Sequence, residues 1–321
     1  MQNQKFLNFW GWPSLPWNEP IGLDRLYWQE QTEMICSRLL FSLSRAASLF
    51  VIAAPPGHGK STLARWLYHR IETSTHDVAL FSLMQHETKG DWLIPRLAHY
   101  LGMDLVDHNQ GQVIQRLHEA SLQDKVLTVI LDDAHKISTA EAFDEILALT
   151  HMQALVPNRI NFVLIGNPRL MQTLQSMDGI QHRLALWAGL EPLTATELSS
   201  YLSHRLETLQ LPQKTLQTDA LASLAQFGIG SFAAIDSVLE TCLLEAFLRD
   251  QRTINADVMA TAMQFIGLPK AGEDLMGEAF KSKAAARRRG PTSAKSAGSA
   301  TARDLNSLYY KGDGGHDPEQ S

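Results

Sequence analysis

Apolar residues in this chain fall into short near-continuous runs separated by longer stretches in which they recur every three or four positions. The runs at 51–54, 78–83, 127–131, 160–165 and 184–190 are rich in Val, Ile and Leu and lack a polar alternation, which predicts strands covered on both faces. The intervening stretches at 26–45, 63–71, 92–101, 113–122 and 141–152 carry helical spacing; in the first, Leu26, Met34, Ile35, Leu39, Leu40 and Leu43 make one apolar stripe. Alternation of this kind predicts an α/β fold: a five-stranded parallel sheet flanked by helices, joined by right-handed crossovers. From position 192 the pattern changes. Thr194, Ala195, Thr196 and Glu197 form a capping-box signature, and helices are predicted at 194–209, 218–227, 231–249 and 255–267 with no strand between them. The expected organisation is a segment 1–25, an α/β core over 26–191, an all-α lid over 192–268 and a tail over 269–321.

The two ends differ from the middle. Residues 1–24 hold Phe6, Phe9, Trp10, Trp12, Pro13, Pro16, Trp17 and Pro20. The prolines exclude a long helix, while the aromatics are suited to covering a domain surface. From about residue 270 large apolar residues become scarce and Ala, Ser, Gly, Lys and Arg dominate, a composition that predicts disorder, with Leu305, Leu308, Tyr309 and Tyr310 as a small apolar island. Lys281, Lys283, Arg287, Arg288, Arg289, Lys295 and Arg303 occur there without an intervening acid, although the chain as a whole carries −6. Any attraction to nucleic acid or anionic lipid therefore belongs to 281–303. A charged fraction of 19% with 45% hydrophobic residues suits a soluble globular protein. Cys36 and Cys242 alone provide neither a disulfide framework nor a metal site and suggest a reducing, cytoplasmic setting. No apolar run reaches the roughly 18 residues of a membrane span.

The chemistry concentrates at strand ends. The first strand runs into Ala54-Pro55-Pro56-Gly57-His58-Gly59-Lys60-Ser61-Thr62, after which a helix begins. This is the phosphate-binding pattern G-x-x-x-x-G-K-[ST] with Ala54 in place of the first glycine. Gly57 and Gly59 allow successive N–H groups to turn inward, the helix start adds its positive dipole end, Lys60 is placed for the β- and γ-phosphates, and the Ser61 hydroxyl for Mg²⁺. The strand at 127–131 ends in Asp132-Asp133. Asp132 fits a magnesium-holding carboxylate; Asp133 stands where a second acid polarises the attacking water, one methylene shorter than the commoner glutamate. The rival role for both is capping the next helix. Past the fourth run, Asn167 in Gly166-Asn167-Pro168 can hydrogen-bond a γ-phosphate or the water, or simply form the loop.

With these residues in place the sequence resembles the ExeA/GspA/MshM-like family of AAA+ P-loop ATPases, and more distantly the TnsC/TniB transposition regulators. The resemblance rests on Phe9-Trp10-Gly11-Trp12 with Leu15-Pro16-Trp17, on Ile165-Gly166-Asn167-Pro168-Arg169-Leu170, on His182-Arg183-Leu184, on Leu190-Glu191-Pro192-Leu193-Thr194 and on Ile254-Asn255-Ala256-Asp257-Val258. It implies a sensor role for Asn167, and for Arg183 a reach into a neighbouring subunit's site, with Arg159 and Arg169 as competitors. The chain departs from the family where Gly-x-Pro-Arg reads Gly230-Ser231-Phe232-Ala233, without the sensor-2 arginine. The transmembrane and peptidoglycan-binding regions of the family's secretion ATPases are likewise not found, and a basic stretch stands in their place.

The resemblance implies an ATP·Mg²⁺-dependent switch that self-assembles, with sites at subunit interfaces, and hydrolyses ATP slowly. Its client is a protein partner if the secretion-type likeness governs, or DNA if the basic stretch does. A scaffold that binds ATP without hydrolysing it is the third alternative, motivated by Asp133 and the missing arginine.

Overall fold

The computed structural model describes residues 2–17, 22–43, 49–84, 86–87, 90–103, 111–112, 115, 125–151, 160–177, 180–226 and 230–266. The expected helix at 113–122 falls almost wholly outside them, as do Arg159, the basic run 281–303 and the island at 305–310.

Five strands form one parallel sheet: β1 (Leu49–Ala53), β2 (His76–Ser82), β3 (Val126–Asp132), β4 (Ile160–Gly166) and β5 (Leu184–Gly189), in the order β2-β3-β4-β1-β5. The order explains the burial. β1, β3 and β4 are interior and their near-continuous apolar runs are covered on both faces, whereas β5 at the edge is only partly covered. Side chains alternate within those runs. Leu49, Val51, Val129, Leu131, Phe162 and Leu164 face one apolar cluster, with Leu93 and Leu97 of α4 (Leu93–Tyr100), Phe143 and Ile146 of α5 (Ala140–His151), and Leu170 and Leu174 of α6 (Pro168–Gln175). Phe50, Ile52, Ile130, Val163 and Ile165 face the other, with Ile35, Leu39 and Leu43 of α2 (Glu30–Leu43) and Leu63 and Leu67 of α3 (Lys60–Arg70). The parallel register sets Ala53 beside Gly166 and Asp132 beside Ile165, so the ends of β1, β3 and β4 finish together.

The α2 helix is shorter than its apolar spacing suggests. Leu26–Gln29 lie outside any helix, Leu26 with an extended backbone, and the helix begins at Glu30. Tertiary packing accounts for this correction. Tyr27 lies against Tyr201, His204 and Phe232, while the adjacent Trp28 lies against Trp66 of α3, centroids 4.6 Å apart.

The C-terminal region is helical: α7 (Ala195–Thr208), α8 (Thr218–Gln226), α9 (Phe232–Leu248) and α10 (Ala256–Ile266), with one isolated parallel bridge between Leu216 and Ile254. The capping box is formed: Thr194 Oγ1 accepts from the Glu197 N–H, and Glu197 accepts from the Thr194 N–H. Leu198, Leu202, Leu206, Val238, Leu239, Leu243, Val258 and Met259 fill the core of this region. The aromatic start of the chain joins the same core. It opens as a nine-residue helix, α1 (Gln2–Trp10). Phe6 and Phe9 each meet Phe247 edge-on at 5.4 Å, and the Trp12 indole N–H donates to Leu209 O at 2.8 Å.

Candidate functional site

A cavity of about 500 Å³ lies at the carboxyl ends of the strands, lined by residues 56–63, Leu26–Gln29, Thr32, Asp133, Leu190, Tyr201, Phe232, Ala233 and Asp236. Its first wall is the glycine loop. Gly57 and Gly59 have φ of 78° and 77°, in the left-handed region that glycine enters without cost. Gly59 is the N-cap of α3 and offers no side-chain cap, which leaves the first N–H groups of the helix without a capping acceptor. Such groups, with the helix dipole behind them, receive anions. Ala54 closes the sheet end beneath, its N–H donating to Gly166 O at 3.0 Å. Lys60 Nζ donates across the loop to Pro55 O at 2.9 Å. Burial lowers the Lys60 pKa, and Asp133 and Asp132, both close enough to act on it, oppose that shift.

His58, 4% exposed, is held by Nδ1 on Pro56 O at 2.9 Å, and its Nε2 is buried with no partner among the described residues. Burial lowers its pKa and Lys60 adds to the effect, so the ring is neutral. Ser61 and Thr62 follow at the cavity edge.

The two acids at the end of β3 differ. Asp132 is 5% exposed and accepts the Asp133 N–H at 2.9 Å. Asp133 has a left-handed backbone (φ 57°, ψ 31°), lines the cavity, and pairs with Lys136 Nζ at 3.1 Å. His135 Nδ1 is 3.9 Å from its other oxygen; burial lowers the His135 pKa and leaves it a neutral neighbour. Asp133 occupies the N-cap position of the short 3-10 turn Ala134–Lys136 without making a side-chain cap bond.

Asn167 and Arg183 stand outside this lining. Asn167 caps α6, its side chain accepting the Arg169 N–H at 2.9 Å. Arg183 ends the 3-10 turn before β5, half-buried, with Nη1 buried and unpartnered among the described residues.

The facing wall is where the reading of residue types reached least. Tyr27, Trp28, Leu190, Tyr201 and Phe232 give it an apolar, aromatic surface. Asp236 accepts from the Tyr201 hydroxyl at 2.8 Å and from Arg205 Nε at 2.7 Å. Burial, and then Asp236, push the Tyr201 hydroxyl's pKa up, which keeps it a donor. Ser231 and Ala233, in the stretch where the resemblance led to an expected arginine, rest on the phosphate loop. The Ala233 N–H donates to Gly57 O at 3.1 Å, and a Cβ on Gly57 would collide with Ser231 Oγ. Lys60 is the one Lys or Arg among the described residues lining the cavity, against the acids Asp133 and Asp236.

Comparison with known proteins agrees with this architecture. A family described as an AAA domain matches residues 44–174. General secretion pathway protein A of Aeromonas hydrophila is 22% identical over 278 residues, covering 83% of this chain and 50% of that protein. The chain thus spans about half the length of that relative. Among solved structures, Cdc6p of Pyrobaculum aerophilum aligns with a TM-score of 0.59 at 15% identity, covering 81% of this chain and 71% of that one. The Thermotoga maritima RuvB Holliday junction branch migration motor aligns at 0.53 with 17% identity, covering 85% and 81%. At such identities these two likenesses establish the fold. An AAA domain matched over 44–174, set in a five-stranded P-loop core, and 22% identity to protein A over most of this chain make the chain similar to the ExeA/GspA-like AAA+ ATPases.

Proposed function

We propose that the chain binds ATP with Mg²⁺ in this cavity and hydrolyses it slowly, as a switch for assembly with protein partners. The observation that carries the reading is the glycine loop itself: two left-handed glycines, uncapped helix N–H groups and Lys60 converge on one cavity. Its volume lies within the roughly 300–1,000 Å³ usual for small-ligand sites. A polyphosphate fits the loop wall, and a base and sugar fit the aromatic wall.

The donors for a magnesium ion are hard oxygens, as that ion requires: the Ser61 hydroxyl and the Asp132 carboxylate, which sits at the end of β3 near Lys60. Magnesium, when bound, neutralises phosphate charge during transfer. Lys60 supplies the second positive charge and exchanges its bond to Pro55 O for phosphate oxygen. Asp133 takes the proton of the attacking water, and Asn167 orients that water. Arg183 serves a neighbouring subunit's site in a homo-oligomer. The lid over 192–268 closes on the loop through Ser231–Ala233.

Equilibrium titration with labelled ATP and ADP, with and without Mg²⁺, tests the binding, and single-turnover hydrolysis tests the chemistry. Magnesium-dependent ATP affinity that Lys60→Ala weakens about 100-fold is the expected result, the scale of a lost charge-assisted hydrogen bond; equal weak binding in both proteins overturns the reading. Likeness to a general secretion pathway protein supports protein partners. The run of basic residues at 281–303 favours a second reading, a DNA-binding regulator of the transposition type. Light scattering with an ATP analogue, with and without duplex DNA, separates the two. Assembly that grows on DNA and falls steeply with salt supports the second. Among the described residues no helix is long and apolar enough to cross a membrane. A cytoplasmic site of action is proposed on cysteine usage.

A further inference from the structure

Asp236 puts a carboxylate in the wall of a cavity whose other wall is shaped for phosphate. Its hydrogen bonds within the described residues fall on one oxygen. Oδ1 accepts from Arg205 Nε at 2.7 Å and from the Tyr201 hydroxyl at 2.8 Å. Both donors are buried residues of α7, whereas the Asp236 side chain stays 31% exposed. Oδ2 has no hydrogen-bond partner among the described residues and is the oxygen left to a ligand. The position of Asp236 relative to the phosphate loop is set by the start of α9. There the Ala233 N–H donates to Gly57 O at 3.1 Å, and a Cβ on Gly59 would meet the Phe232 ring at 4.0 Å. Asp236 follows Phe232 and Ala233 on the same side of the helix, one turn or about 5 Å further along.

We propose that Asp236 reads a ribose hydroxyl through Oδ2, so that the cavity selects ribonucleotides over deoxyribonucleotides. The proposal rests on the reading of the cavity as a nucleotide site. A carboxylate paired with an arginine only accepts hydrogen bonds. The phosphates of a nucleotide have no donor to offer it, and their charge repels it. The donors of ATP are the two ribose hydroxyls and the amino group of the base. The sugar is joined directly to the phosphates, and one helical turn from the loop is where it comes. The flat base is left to the rings of Tyr27, Trp28 and Phe232. Arg205, bonded to the same carboxylate, offsets its charge and lets it stand this near a polyanion. Acidic side chains read ribose hydroxyls by the same chemistry in dinucleotide-binding folds.

The test is displacement of labelled ATP at equilibrium, in Mg²⁺, by ATP, 2′-deoxy-ATP, 3′-deoxy-ATP and ITP, in the parent and in Asp236→Asn. The parent is expected to bind at least one deoxy analogue about tenfold more weakly than ATP, the low end for a hydrogen bond to a charged group. ITP lacks the amino group and keeps both hydroxyls, so it is the control for the base. In Asp236→Asn the amide oxygen can stay with Arg205 and Tyr201, while an NH₂ donor replaces Oδ2. The preference for the hydroxyl is then expected to shrink to about twofold, the scale of a weak neutral pair. A carboxylate that served only as the counterion of Arg205 would, on substitution, shift all the ligands alike. Deoxy analogues that match ATP in the parent overturn the proposal, as does a preference that persists unchanged in Asp236→Asn. A loss with ITP alone assigns the oxygen to the base and overturns it too. A parent that binds none of these nucleotides overturns the functional reading instead, and the proposal with it. Should Asp236→Asn unfold, Asp236→Ser, which removes the second oxygen and keeps an acceptor, is read in its place by the same criteria.

Discussion

The cavity has two walls made in different ways. The loop wall, residues 56–63, is consecutive in sequence and presents chiefly backbone, shaped by two positive-φ glycines and the start of α3. The facing wall gathers Leu26–Gln29, Leu190, Tyr201, Phe232 and Asp236 and presents side chains brought together by folding. Chemistry that depends on backbone direction is written locally, because the residue types that permit it must sit at fixed spacing. A pocket made of side chains needs only surfaces of the right shape, and many spacings supply them. The loop wall should therefore fail through charge and φ, and the facing wall through packing.

The largest expected effect on nucleotide binding removes the charge of the loop wall. Lys60→Ala should weaken ATP binding about 100-fold, the scale of a lost charge-assisted hydrogen bond in a partly desolvated site. Thermal unfolding should stay near that of the parent, because Lys60 satisfies only Pro55 O. Loss of fold rather than of affinity would show that the loop lysine is structural.

Next comes a pair of glycines that separates strain from collision. Gly11 and Gly57 have φ of 79° and 78°, but a Cβ on Gly11 meets nothing within 4 Å, whereas one on Gly57 meets Ser231 Oγ and Ala233 Cβ. Gly11→Ala should cost about 1–2 kcal/mol, the left-handed penalty alone. Gly57→Ala should cost about 2 kcal/mol more through forced repacking against α9. Equal losses in chemical denaturation would mean that the helical wall gives way freely.

What could be read beforehand divides along the same line. The strand ends, the Gly-Lys-Ser loop, Asp132-Asp133 and the capping box at Thr194 were legible because each is a local pattern with a mechanical cause. The non-helical course of Leu26–Gln29 was not, since the helical spacing of its neighbours gave no sign that Tyr27 and Trp28 would be drawn to different partners. The bonds from Tyr201 and Arg205 to Asp236 join α7 to α9 across more than thirty positions, which no spacing rule reaches.

A third prediction tests the facing wall directly. Arg205→Met should cost about 2 kcal/mol, less than the ~3–5 kcal/mol of a fully buried pair, because the Asp236 side chain is 31% exposed and keeps the Tyr201 hydroxyl. The methionine retains the stem's packing in the helical core. ATP affinity should fall far less than with Lys60→Ala, and a drop of similar size would show that the two walls are not separable.

The smallest effect is a dependence on pH that spans both walls. His58 in the loop and His204 in α7 both have pKa values lowered from 6.5, chiefly by burial, and the neighbouring cations Lys60 and Arg205 add to the shift. A folded pKa below the unfolded one means that the unfolded chain binds more protons in this range, so stability rises with pH. The contribution is intact above about 6.5 and is lost as pH falls from there toward the folded values. Unfolding midpoints taken from pH 7.5 to 5.5 should decline. His58→Asn should flatten the part of that decline owed to the loop wall, and His204→Asn the part owed to the helical wall. If His58 alone flattens the profile, protonation loosens the phosphate loop first, and the loop wall is the weaker of the two against acid. If His204 alone does so, acid opens the helical wall while the loop keeps its shape.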